Sequence, residues 1–404
     1  MISVAEAQAR ILAELPVMPV ETVGLAQAHG RILAEDVTAR VTQPPVAVSA
    51  MDGYAVRAAD VAAAPVSLRC IGSAPAGRAF DGQVAAGETV RIFTGGPMPA
   101  GSDAVVIQED TEADGERIRM LVSVPHGHYV RPAGLDFEAG RVGLHAGRPL
   151  SARDVGLAAA MNVPWLNVRR RPRVALLATG DEIVRPGDPL GPSQIVSSNS
   201  LALAALVAGC GASPIDLGIA RDNEESLRRM AAGARGADML VTLGGASVGE
   251  HDLVRHVLGE QGLELDFWRI AMRPGKPLMF GRIGEVPMLG LPGNPVSSLV
   301  CGLIFLAPAL RAMLGADSNI LETERAVLAE PLAANDRRQD YLRAALQRRD
   351  DGSLVARPFG KQDSSMLSAL AQAQCLVLRP PHAPAAVAGD EVEIIRLDRP
   401  FDPV

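Results

Sequence analysis

Between residues 173 and 320, short apolar runs alternate with segments of helical spacing. VALLA (174–178), PIDLGIA (214–220), ADMLVTL (237–243) and VPMLGL (286–291) are apolar without strict alternation, the pattern of strands covered on both faces. Helical candidates lie between them at Asn199 to Ala208, Asp222 to Ala234 and Asp252 to Gly259. This order predicts right-handed crossovers and an open, mostly parallel sheet with helices on both faces. The longest apolar stretch, Leu299 to Leu310, falls short of the ~20 residues that span a bilayer and reads as a buried helix.

The flanking regions carry other patterns. Residues 42–140 are rich in Val, Thr and Gly, with turn signals at Pro44-Pro45, Ala76-Gly77 and Pro99-Ala100-Gly101, which predicts an inserted β-rich domain. Residues 1–41 and 141–172 read as one helical or mixed module that receives this insertion, with Ser151 as the N-cap of SARDVGLAAAMNV. Residues 173–320 form the α/β domain and 321–404 a C-terminal β domain. The expected class is therefore multidomain α/β, and the short basic run Arg169 to Arg173 reads as a solvated linker.

Composition narrows the function. A net charge of -7 and a pI near 5.6 disfavour a surface that coats nucleic acid. Cys70, Cys210, Cys301 and Cys375 lack the spacing of a zinc site or a disulfide framework, and MISVAEAQARILAEL lacks the apolar core of a signal peptide. A cytoplasmic protein with no membrane partner is expected. Of 39 cationic Lys and Arg residues only Lys276 and Lys361 are lysine, so these two positions are candidates for a compact ammonium that Arg cannot replace; chance survival under a compositional bias is the alternative.

In open α/β sheets ligands collect beyond the carboxyl ends of the strands. Here those ends carry Thr179 to Glu182, Arg221 and Asp222, Gly244 to Glu250, and Pro292 to Asn294, so the polar and Gly-rich clusters converge on one rim. Asp181, Glu182, Glu250 and Asp252 offer hard oxygen ligands suited to Mg²⁺ on a pyrophosphate, or else loop solvation and helix capping. Asp222, followed by Glu225, fits a capping box. Gly244, Gly245 and Gly249 can turn main-chain N–H groups toward phosphate, but without a Walker ending or G-x-G-x-x-G. Asn294 and Pro295 suit the N-cap and first turn of a helix containing Ser297 and Ser298, where anions are attracted. In SAMDGYAVR (49–57) the Asp52-Gly53 pair on its own reads first as a turn. His251 reads as an exposed loop residue, and no Ser-His-Asp or Cys-His pairing stands out.

Taken whole, SAMDGYA, TGGPMPAGSDAVVIQE (94–109), VRPAGLDFEAG (130–140), ATGDEI (178–183), IVSSNS (195–200), GGASVGEHD, RPGKPLMFG, GLPGNPVSSL, QDYLRA and FGKQDSSMLSAL resemble the molybdopterin molybdenumtransferases. These enzymes insert molybdenum in the last step of molybdenum cofactor synthesis, and the family includes the C-terminal module of gephyrin. The resemblance implies adenylated molybdopterin and molybdate as substrates, Mg²⁺, release of AMP, and an elongated homodimer whose site is shared between subunits. It implies catalytic roles for Asp52, Thr94, Asp136, Glu182, Asp222, Asp252 and Lys276, with Asp52 and Thr94 acting across the interface. It implies binding roles for Gly244, Gly245, Ser247, Gly249, Arg269, Arg273, Pro292, Asn294, Ser297, Arg343, Ser364 and Ser365, and metal ligation by Asp181, Glu182, Glu250 and Asp252. Many relatives carry Lys where this chain has Arg269 and Arg273, a change of donor geometry at constant charge. Molybdopterin adenylyltransferase and acceptor molybdoenzymes are the implied partners. The alternatives are that preceding adenylyltransferase itself, whose single domain resembles residues 173–320 alone, and a non-enzymatic scaffold of the gephyrin type, disfavoured without a fused N-terminal domain.

Overall fold

The computed structural model describes residues 1–244, 253–316 and 322–398. Its central sheet consists of β1 (Arg173–Thr179), β2 (Ser213–Ala220), β3 (Met239–Leu243), β4 (Leu263–Phe267), β5 (Met279–Ile283) and β6 (Val286–Leu291). The spatial order is β2-β1-β3-β6-β5-β4. The first four are mutually parallel, as their uniformly apolar runs predict, and β5 and β4 continue the sheet antiparallel. Sequence reading missed those two strands: LELDF alternates half-buried and exposed positions at the sheet edge, and MFGRI is buried over its first three residues only, so both lack the continuous apolar signal. Chain order reverses at β1, whose neighbours are β2 on one side and β3 on the other. That reversal opens a crevice at their carboxyl ends.

A long apolar helix packs against the sheet. It runs from Pro295 to Met313, longer at both ends than the expected buried segment, and by length and composition alone it would be long enough to cross a membrane. Val300, Ile304, Phe305 and Leu310 are buried in the main core with Val174, Leu176 and Leu289, so its apolar character is spent on internal packing. Gly302–Leu306 forms a π-turn within it.

Residues 1–40 and 145–170 are less helical than expected. Val4–Ala13 and Ala152–Ala160 are helices, and Ser151 caps the second in a full capping box with Asp154. Yet Val20–Gly24 and Trp165–Arg169 are strands that pair antiparallel, because β-branched residues in short runs gain more from a ladder than from helix. The basic run is not a solvated linker either: Arg169 lies in that ladder, and Arg170 and Arg173 both donate to the Asp238 carboxylate, at 2.8 Å and 3.4 Å.

Two β structures flank the core. Within residues 53–120 six strands form one sheet, ordered Ala104–Ile107, Gly53–Val56, Glu88–Ile92, Val66–Ala74, Arg117–Met120 and Thr111–Asp114. In the C-terminal region Gln339–Arg348 pairs with both Leu354–Pro358 and Cys375–Arg379, while Thr323–Leu328 joins Leu354–Pro358 to Glu391–Arg396. Glu391–Arg396 also pairs with Cys375–Arg379, so the five strands close into a barrel with no free edge among them. Met272–Arg273 adds a short parallel strand to this barrel from the α/β region.

Candidate functional site

The crevice predicted at the reversal of strand order is a cleft of about 1150 Å³. Its floor is the ends of β1 and β3, with Thr179, Gly180, Leu243 and Gly244. Gly244 requires its lack of side chain, since at φ +90 a Cβ would stand 2.9 Å from the Thr179 carbonyl oxygen. Three carboxylates, Glu182, Asp222 and Glu224, and one guanidinium, Arg221, line the cleft. Asp181 is tied to the same rim: its N–H donates to Asp222 Oδ2 and the Asp222 N–H donates to Asp181 Oδ1, each at 3.3 Å. Asp222 is thus not the helix cap. Asn223 takes that place, its Oδ1 accepting from Ser226 N at 2.9 Å, which leaves the Asp222 carboxylate on the cleft wall.

The other end of the cleft is built where the long helix meets the barrel. Pro292, Gly293, Asn294 and Pro295 line it with Pro277 and Ser365. Asn294 stands at the cap position but does not cap with its side chain; its Nδ2 donates to Ser364 Oγ at 2.9 Å, and the Val296 N–H donates to the Ser364 carbonyl. Asp363 accepts from both the N–H and the hydroxyl of Ser365, at 2.8 Å and 2.6 Å, and these bonds hold its carboxyl below the usual range. Arg343, only 2% exposed, braces the same loop through Gln362 Oε1 and the Met366 carbonyl; burial lowers its pKa from the ordinary value. Ser297 and Ser298 are buried in the first turn of the helix, and Ser298 Oγ has no hydrogen-bond partner among the described residues.

Other expected residues lie elsewhere. Arg273 is occupied by a bidentate pair with the buried Asp340 carboxylate, one arm at 2.9 Å, which fastens the α/β region to the barrel. Arg269 lies over the Trp268 ring at 4.1 Å, its Nε buried with no hydrogen-bond partner among the described residues. Lys276 is exposed, beside the cleft-lining Pro277, and its side chain makes no hydrogen bond among the described residues. Asp52 and Thr94 meet in the β-rich region: Asp52 Oδ1 accepts from Thr94 N at 2.7 Å and Thr94 Oγ1 at 2.8 Å, which lowers the Asp52 pKa. Neither lines the cleft of its own chain. Asp136 is exposed on a separate loop bonded to Gln43. Gly245, Ser247, Gly249, Glu250, His251 and Asp252 lie outside the described residues.

Mg²⁺ takes few protein carboxylates and completes its shell with water and substrate phosphate. Asp181, Glu182 and Asp222 on one exposed rim fit that donor chemistry. Among the described residues the group whose three ligand atoms converge, within 4.8 Å, is instead Glu224, His256 and Glu260, and Arg228 already pairs with both of its carboxylates. Sequence reading missed Asn199 as a brace of the cleft: its Nδ2 donates to the Gly293 carbonyl at 2.7 Å. Arg221 was noted only as the residue after a strand, and His256 not at all; neither belongs to a distinctive motif.

A mixed α/β sheet with a large polar-rimmed cleft at its reversal point, bordered by a closed barrel, defines a multidomain protein of small-molecule chemistry. The chain matches three family models: "MoeA N-terminal region (domain I and II)" over residues 2–162, "Probable molybdopterin binding domain" over 175–312 and "MoeA C-terminal region (domain IV)" over 325–397. It is 37% identical to a molybdopterin molybdenumtransferase of Nostoc sp., covering 93% of this chain and 88% of that one, and 32% identical to the Haemophilus influenzae molybdopterin molybdenumtransferase over 98% of each. A molybdopterin biosynthesis MoeA crystal structure from Pyrococcus horikosii superposes with a TM-score of 0.85 at 31% identity, covering 99% of this chain and all of that one. The chain belongs to the molybdopterin molybdenumtransferase family, transferases of molybdenum cofactor biosynthesis.

Proposed function

We propose that this protein takes adenylated molybdopterin and molybdate, transfers molybdenum to the dithiolene of the pterin, and releases AMP. The observation that carries this reading is the cleft itself: carboxylates suited to a phosphate-bridging cation stand at one end, and a serine loop of the barrel stands at the other. A tetrahedral dianion needs charged and hydroxyl donors; Ser365 lines the barrel end of the cleft, Ser364 bonds the cleft-lining Asn294, Arg343 braces their loop, and Lys276 directly precedes the cleft-lining Pro277. Asp181, Glu182 and Asp222 would hold Mg²⁺, which when bound supplies charge neutralisation for the adenylate phosphates. Asp52 and Thr94, absent from the cleft of their own chain, would complete the site of the second subunit in a homodimer. The place of action is the cytoplasm, with neither nucleic acid nor membrane as partner.

The test uses purified protein with adenylated molybdopterin, Mg²⁺ and molybdate, following AMP and activation of an apo-molybdoenzyme. Molybdate-dependent AMP release with activation is expected. AMP release indifferent to molybdate, with no activation, would sink the reading.

A further inference from the structure

Among the described residues that line the cleft, Arg221 is the sole permanent cation, set against Glu182, Asp222 and Glu224. An anionic substrate entering this space meets net repulsion unless something cationic receives it. Arg221 follows β2 on the rim, is exposed, and is held through its main chain, its N–H donating to Ser226 Oγ at 3.0 Å and its carbonyl accepting from the Asn223 N–H at 2.7 Å. Among the described residues its guanidinium has no hydrogen bond or ion pair, whereas Arg170, Arg228 and Arg273 are each committed to carboxylates.

The surroundings of Arg221 indicate which part of a ligand it meets. On this side of the cleft Leu227 and Val254 are buried beneath the surface, Leu253 is partly covered, and His256 stands exposed beside Glu224. An apolar ledge with a polar rim suits a flat heteroaromatic base. The opposite end, with Asn294 and Ser365, is polar and adjoins the barrel.

We infer that Arg221 is the anchor for the phosphate of the nucleotide portion of the substrate, whose base lies against the partly exposed Leu253. This rests on the cleft being the site of an adenylated substrate. A guanidinium gives a phosphate two parallel charge-assisted bonds, which a single ammonium does not reproduce.

Titration calorimetry with AMP and with adenosine tests the assignment on wild type, Arg221→Ala and Arg221→Lys. Wild type should bind AMP more tightly than adenosine. Arg221→Ala should weaken AMP by about ten- to hundredfold, the loss of a charged hydrogen-bonded contact. It should leave adenosine affinity, the KM for molybdate and the thermal midpoint unchanged, and Arg221→Lys should fall between the two. Unaltered AMP affinity in Arg221→Ala overturns the inference. If the KM for adenylated molybdopterin rises while AMP affinity does not, Arg221 serves the phosphate of the pterin and the nucleotide assignment is wrong. A wild-type protein that binds neither AMP nor adenosine sinks the adenylate cleft itself, and with it this anchor.

Discussion

At the scale of single residues, the state of each candidate group is set by the bonds its neighbours make to it. Asp52 receives two hydrogen bonds from Thr94, so it stays ionised to lower pH than an ordinary carboxylate. Because its folded pKa is depressed, these bonds hold throughout the neutral range and are lost only as pH falls through the depressed value. Asp52→Asn should therefore remove the charge at all working pH, lowering molybdate-dependent AMP release by at least about a hundredfold while the protein remains folded. Wild-type turnover in that variant would reduce the motif to a turn. Lys276 is exposed beside Pro277, and Lys276→Arg should raise the KM for molybdate nearly as much as Lys276→Ala, since a planar fork cannot occupy an ammonium's space. Lys361→Arg should be mild; equal, small effects at both positions would show that charge alone matters. Burial pushes the thiols of Cys210 and Cys375 up to about 11 and about 12, while Cys70 is half-buried. Alkylation at pH 8 followed by mass spectrometry should label Cys70 well ahead of the other three.

At the scale of elements, the helix Glu224–Ala231 separates two adjacent polar residues into distinct jobs. Asn223 caps it, and Asp222 faces the cleft. Asn223→Ala should cost about 1 kcal/mol of stability with catalysis retained, and Asp222→Ala should show the reverse, read by urea unfolding beside AMP release. From sequence the two were indistinguishable: both are capping residues, and Glu225 completed a plausible box for Asp222. Gly53 is another case where the element decides. A Cβ there would stand 2.1 Å from the Val106 carbonyl oxygen of the adjacent strand, so Gly53→Ala should destabilise by roughly 2 kcal/mol or more, measured by thermal unfolding. As a dipeptide, Asp52-Gly53 reads as a turn; the strand crossing that demands glycine lies more than fifty residues away.

At the scale of the whole molecule, the α/β region and the barrel are fastened by the Met272–Arg273 strand and by the pair of Arg273 with Asp340, whose carboxylate is almost fully buried. Arg273→Ala would leave that carboxylate uncompensated. Since the guanidinium itself is half exposed, a loss of roughly 2 kcal/mol is expected, with faster hydrogen exchange confined to residues around 335–340. Unchanged exchange there would show that the strand alone holds the barrel. If the site is shared in a homodimer, as proposed, mixing Asp52→Ala with Asp222→Ala subunits would place both lesions in one of two sites, and verified heterodimers should regain about half of wild-type activity. No recovery would count against a site built by two chains.

The sequence by itself determined the strands at 174–178, 214–220, 237–243 and 286–291, the rim on which their polar ends meet, and the family, because continuous apolar runs and contiguous motifs are local properties. Ser151 as a cap was legible for the same reason. Tertiary structure decided what depends on pairing between distant segments. Val20–Gly24 becomes a strand only because Trp165–Arg169 lies beside it, and the barrel closes only because Gln339–Arg348 finds partners on both sides. It also decided which cations are committed: Arg273 and Arg170 are consumed by buried or largely buried carboxylates far off in the chain, and among the described residues Arg221 is not. An arginine's charge is written in its residue type, but its availability depends on which carboxylate the fold brings within reach.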